Sequence, residues 1–162
     1  MSVNRRLIRI ALWIAVIATA VMIFCFSAET REESAETSDG ITLLVIRLFD
    51  PAYDSRPPEE QMNIFGFTGR VVRKCAHFSE FALLGFFLKL LLTQYMEKRT
   101  SRLSWGIGTL YAMTDEAHQV FVDERSGSAV DMLIDSCGVM AGALVAWALL
   151  TLIARARGGK QA

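Results

Sequence analysis

The sequence predicts an all-α integral membrane protein, a four-helix bundle with both termini in the cytoplasm. Four apolar stretches approach or reach the length that crosses a bilayer. Three clusters of Lys and Arg fall where a four-span chain places them all on one side. Ionisable residues recur inside the apolar stretches at helical spacing.

Composition sets the frame. The 162 residues suit one domain, and residues 1–162 are read as a single membrane domain. Hydrophobic residues make up 52% and mean hydropathy is +0.34, high for a soluble domain. Seventeen Lys+Arg balance seventeen Asp+Glu, so the chain lacks the basic excess of a nucleic-acid binder. Its apolar content also excludes a disordered chain. Cys25, Cys75 and Cys137 have no paired spacing, which argues against a disulfide framework or zinc ribbon. They read as small apolar packing residues.

The first helix is expected over residues 7–26, with Arg5 and Arg6 before it and Arg9 near its start. Twenty residues span about 30 Å. The run is long for a signal-peptide core, and Phe26-Ser27-Ala28 is a poor cleavage site, so an uncleaved span is expected.

Residues 27–72 form an expected outer segment with nine acids and four arginines. Pro51, Pro57 and Pro58 lie within it, so its second half is not expected to be one long helix. Residues 41–49 are apolar but too short to span, and read as an interfacial or packed helix.

Three further spans are expected, over residues 74–95, 103–122 and 131–153. The last contains Gly138 and Gly142, a GxxxG spacing that lets membrane helices pack closely. Arg5, Arg6 and Arg9, then Lys98, Arg99 and Arg102, then Arg155, Arg157 and Lys160 all fall on one side of this topology. The positive-inside rule makes that side cytoplasmic, which leaves 27–72 and the 123–130 loop outside.

The helices carry unusual polar residues. Lys74, His77 and Glu80 share one face of the second span. Tyr111, Thr114, Asp115, His118 and Gln119 share a face of the third, with Glu116 on its flank. Asp131, Asp135, Gly138 and Gly142 line one face of the fourth. By helical rise, Glu80 lies about 9 Å below Lys74 and Asp115 about 10 Å below Val122. The set therefore meets in the outer part of the bundle, beneath Arg125 in the last loop. Lys89, near the inner end, is expected to snorkel to the interface.

These residues, in this order, resemble the VanZ family of small membrane proteins. The resemblance rests on Lys74 with His77-Phe78-Ser79-Glu80, on Tyr111 followed by Asp115-Glu116-Ala117-His118-Gln119, and on Arg125. Asp131, Asp135, Gly138 and Gly142 complete it, with Phe26-Ser27-Ala28-Glu29 at the exit of the first helix. The chain departs from the pattern in two places: Asp123-Glu124 stands where Pro-Gly often precedes the arginine, and Phe81 where tyrosine is frequent. The family's namesake is associated with resistance to teicoplanin, a lipoglycopeptide antibiotic acting outside the membrane. The resemblance therefore implies an envelope-related role.

Three readings of the polar set follow. It is interhelical glue, at about 0.6 kcal/mol per contact, a small gain for such costly groups. Or it is a binding pocket of Lys74, His77, Glu80, Tyr111, Asp115, Glu116, Gln119, Arg125, Asp131 and Asp135. Its partners are then membrane lipids, a lipid-linked cell-wall precursor or a lipoglycopeptide, with Arg125 and Lys74 meeting phosphate or carboxylate. Or it is a membrane-embedded hydrolase or transferase acting on a lipid-linked envelope substrate. Its candidate catalytic residues are then His77, Glu80, Asp115, Glu116 and His118. The binding reading leads. Histidines and carboxylates at i, i+3 converge in some metal sites, yet no zinc signature occurs, so neither metal nor cofactor is expected.

Overall fold

The computed structural model of the chain describes residues 3–122 and 128–158. Within them the protein is all helical: α1 Val3–Ser27, α2 Arg31–Phe49, a 3-10 turn Tyr53–Ser55, α3 Pro58–Thr93, α4 Thr100–Gln119 and α5 Ala129–Gly158. Three helical stretches, Asn4–Ser27, Pro58–Thr93 and Ala129–Arg157, are long and apolar enough to cross a membrane. Four spans were expected. The fourth candidate, α4, ends in Asp115, Glu116, His118 and Gln119 and does not meet that measure.

The largest departure is in the outer segment. Residues 58–72, expected to be broken by prolines, are the first four turns of α3, a helix of 36 residues. The physical reason is where the prolines fall. Pro57 precedes the helix and Pro58 opens it, where a missing N–H costs nothing and the fixed φ is already helical. Glu59 and Glu60 then complement the helix dipole. The prolines delimit α3 and do not interrupt it.

The helix expected over 41–49 is likewise the second half of α2, which starts at Arg31. Thr30 and Glu33 form a reciprocal capping box: the Thr30 N–H donates to Glu33 Oε2 at 2.8 Å, and the Glu33 N–H donates to Thr30 Oγ1 at 3.2 Å. These bonds hold the Glu33 carboxyl below its usual range. At the far end Arg56 binds Asp50 at 2.7 Å and Glu60 at 3.1 Å, fixing the turn between α2 and α3. The Arg56 guanidinium lowers the Asp50 pKa from its ordinary value.

α3 and α5 make the most extensive helix contact. It is built from backbone against backbone. A Cβ on Gly138 would collide with the Phe78 carbonyl, one on Gly142 with the Ala82 carbonyl, and one on Gly85 with the Val139 carbonyl. The core between the helices is formed by Val16, Ile23, Phe81, Leu84, Leu88, Leu91, Ala112 and Val139. Phe81 is fully buried against the Tyr111 ring, 6.1 Å between centroids.

The outer faces are apolar as well. Leu7, Ile10, Ile14 and Ile17 of α1 and Leu133, Leu144 and Leu152 of α5 are exposed, a surface suited to hydrocarbon. The three cysteines also lie on exposed faces and not in the packed interior, so their apolar character serves the surface. Lys89 does not reach outward either: it is buried, and its ammonium donates to Thr100 Oγ1 at the start of α4.

The basic clusters gather at one end. Arg9 donates to the Gln94 carbonyl and lies over the Tyr95 ring, 4.5 Å from its centroid. The start of α1 therefore sits beside the end of α3 and the Lys98-Arg99 turn. Lys74 pairs with Asp131, and Gly142 meets Ala82, so α3 and α5 run in the same direction. Arg155 and Arg157 consequently project from that same end.

Candidate functional site

At the opposite end, residues of α3, α4 and α5, with Ser34 of α2, line a cavity of about 450 Å³. Arg70, Arg73, Lys74 and His77 of α3 line it at i, i+3, i+4 and i+7, one helix face. Glu116 and Gln119 enter from α4, and Ser128, Asp131, Ile134 and Asp135 from α5 and its approach. Ser34 of α2 completes the wall.

The mouth is basic. Lys74 pairs with Asp131 across α3 and α5. The Arg70 guanidinium lies back over Gly66 and that of Arg73 over Gly69, 3.8 and 3.6 Å from where a Cβ would stand. Both heads thus point toward the N-terminal end of α3, away from the cavity floor.

The floor is acidic and nearly dry. Asp115, Glu116 and Asp135 are 4%, 8% and 2% exposed. Glu116 Oε1 accepts the backbone N–H of Ser128, a carboxylate at the N-terminus of α5. Ser128 Oγ in turn accepts the Asp131 N–H at 3.3 Å, as an N-cap does. Asp115 Oδ2 accepts the hydroxyl of Ser27 at 2.7 Å and the amide of Gln119 at 3.2 Å. His77 Nδ1 stands 3.9 Å from Glu80 Oε2.

Of the residues expected from the sequence, Lys74, His77, Glu116, Gln119, Asp131 and Asp135 line one cavity, and Asp115 lies beside His77 and Asp135. Glu80 adjoins through His77. Two others turn elsewhere. The Tyr111 hydroxyl donates to the Ala20 carbonyl of α1 at 2.6 Å. His118 stacks on Phe24, also of α1, with ring centroids 4.8 Å apart. Arg125 lies outside the described residues. Gly138 and Gly142 lie below the cavity and set the approach of α5 to α3.

Sequence reasoning missed Arg70, Arg73, Ser27 and Ser34. The arginines were legible in principle, because they continue the Lys74–His77 face by one turn. Arg70 instead falls in the 27–72 segment, whose second half is not expected from the sequence to be one long helix, and Arg73 lies just ahead of the expected 74–95 span.

Apolar helices of membrane length around a charged cavity define a small helical membrane protein with a polar interhelical site. The VanZ/LLP1 family model matches residues 12–152, most of the chain. The chain belongs to the VanZ/LLP1 family. Neither a curated protein nor a solved structure matches it.

Proposed function

We propose that this VanZ/LLP1 protein binds the anionic headgroup of an envelope lipid, a lipid-linked cell-wall precursor or a lipoglycopeptide such as teicoplanin in the cavity. In this reading α4 is a fourth span, both termini are cytoplasmic, and the cavity opens to the outside. The gathering of the Lys and Arg clusters at the end remote from the cavity supports that orientation.

The observation that carries the binding reading is the basic mouth. Among the described residues, Arg70 and Arg73 make no ion pair within 4 Å, and they flank a cavity large enough for a small polar headgroup. A guanidinium binds phosphate or carboxylate through two parallel hydrogen bonds. A ligand with an acyl tail would keep that tail among the exposed apolar faces of α1 and α5.

Purified protein in nanodiscs tests this by titration with fluorescent phosphatidylglycerol against phosphatidylcholine. The expected result is a preference for the anionic lipid that Arg70→Gln with Arg73→Gln weakens by about tenfold or more. Equal binding of both lipids, or no effect of the double variant, overturns it. The link to teicoplanin is read separately, as a change in growth-inhibitory concentration in cells with and without the protein.

A second reading is a membrane-embedded hydrolase or transferase on a lipid-linked envelope substrate. The His77–Glu80 pair favours it, as a base beside an orienting carboxylate in a cavity. Mass spectrometry of lipid extracts from cells with and without the protein checks it. An unchanged lipid profile rejects catalysis.

A further inference from the structure

We infer that His77 of α3, Asp115 of α4 and Asp135 of α5 form a binding site for a transition-metal dication, Zn2+ or Mn2+, at the floor of the cavity. One donor atom from each residue lies within 4.8 Å of the other two. Ligands around such an ion stand about 3–3.5 Å apart, at bond lengths near 2.1 Å. Loading the site therefore draws the three side chains together by up to about 1.3 Å.

The two carboxylates are prepared for a cation. Asp135 is 2% exposed and Asp115 4% exposed, and Oδ1 of each accepts no hydrogen bond from a described group. Buried polar atoms are almost always satisfied, so two unsatisfied carboxylate oxygens beside one imidazole call for a missing positive partner. Lys74 does not supply it, because its ammonium is engaged with Asp131.

The outer contacts point the same way. Asp115 Oδ2 is held by the Ser27 hydroxyl at 2.7 Å and the Gln119 amide at 3.2 Å. Gln119 also donates to Ser27 Oγ at 3.2 Å, which locks the pair. Fixing one oxygen of a carboxylate from behind and presenting the other is how proteins orient a metal ligand.

The donor set selects the ion. One imidazole with two carboxylates suits Zn2+ or Mn2+, whereas Ca2+ takes oxygen donors throughout and Cu+ takes sulfur. Three protein ligands leave a coordination position open, and His77 and Asp135 both face the cavity. The three residues come from three helices, so no spacing along the chain reveals them. The site stands whatever occupies the cavity above.

The test is elemental analysis of detergent-purified protein prepared without chelator, followed by chelation and reloading with Zn2+, Mn2+, Mg2+ or Ca2+ while thermal unfolding is followed. One bound transition-metal ion per chain is expected, with a Tm that falls on chelation and returns with Zn2+ or Mn2+. Asp135→Asn and His77→Gln should each lower bound metal by about tenfold or more while helicity and elution stay unchanged. Glu36→Gln on the exposed face of α2 should keep it.

Protein without stoichiometric metal whose Tm ignores all four ions overturns the site, as does undiminished metal in both variants. Stabilisation by Mg2+ or Ca2+ alone overturns the assignment to a transition metal. Metal content is read without lipid. A metal-free protein that binds anionic lipid rejects the cation site alone, and a metal-loaded protein that binds none rejects the headgroup reading alone.

Discussion

The Ser27 hydroxyl, in the last turn of α1, donates to Oδ2 of Asp115 in α4 at 2.7 Å, and Ser27 has no exposed surface. The bond ties the first helix to the floor of the cavity. Hydrogen bonds to a charged acceptor contribute about 1.5–3 kcal/mol, and those in membrane bundles average about 0.6 kcal/mol. Ser27→Ala is therefore expected to destabilise the protein by about 1 kcal/mol, read by reversible unfolding in mixed detergent micelles. No change would mean that Asp115 is held by Gln119 alone.

Glycines in the same fold should respond in opposite directions to one methyl group. Gly142→Ala drives a Cβ into the Ala82 carbonyl, and Gly138→Ala into that of Phe78. Each is expected to cost about 1–3 kcal/mol, since backbone must move to admit the carbon. Gly40 in α2 and Gly106 in α4 have no neighbouring atom within 4 Å of such a carbon. Alanine at either should stabilise by up to about 1 kcal/mol through helix propensity. Thermal unfolding of the four variants side by side checks both signs.

Orientation is accessible to labelling. With Cys25, Cys75 and Cys137 replaced by alanine, a single cysteine at Glu36 should react with a membrane-impermeant maleimide in intact cells. One at Lys98 should react only after lysis. Both positions are exposed. The reverse pattern would turn the cavity toward the cytoplasm and remove the basis for an external ligand.

The turn between α2 and α3 should depend on pH through Asp50. Arg56 lowers the folded pKa of Asp50 below its ordinary 3.8, so the pair helps the folded state above that value. Its contribution declines as pH falls below 3.8 and is gone once the folded carboxylate is protonated. Hydrogen exchange of residues 50–57 should be faster in Arg56→Gln than in the native chain at neutral pH. That difference should vanish in strong acid. A difference that persists there would show that Arg56 holds the turn through packing.

What was legible in the sequence follows from what a helix face can and cannot say. α1 and α5 were readable from long apolar runs bordered by arginines, the second interrupted only by Asp131 and Asp135, because hydropathy decides them. The start of α3 was not, because Pro57-Pro58 reads equally as a breaker and as a helix opening. Thr30 and Glu33 have the spacing of a capping box, a start signal for α2 that the reading of 41–49 alone did not use. In the site, Lys74 and His77 both line the cavity from α3, the helix face their spacing puts them on. Yet a face of α4 broad enough to hold Tyr111, Asp115 and His118 touches more than one neighbour. Tyr111 and His118 face α1, while Glu116, expected on the flank, reaches α5. Periodicity assigns a residue to a stripe; only the packing of the other helices assigns the stripe a neighbour.

The unbroken length of α3 makes the cavity mouth sensitive to bilayer thickness. Thirty-six residues extend roughly 54 Å, well beyond a hydrocarbon slab of about 30 Å. The lower half of α3 packs carbonyl-to-glycine against α5, which ties it to that helix. With the cavity facing outward as proposed, a thicker membrane reaches further along the helix toward Arg70 and Arg73 unless tilt takes up the difference, and a thinner one leaves them in water. In the proposed headgroup site the two guanidiniums would act as a waterline: the protein sets the depth at which they can meet a phosphate, and the lipid has to come to them.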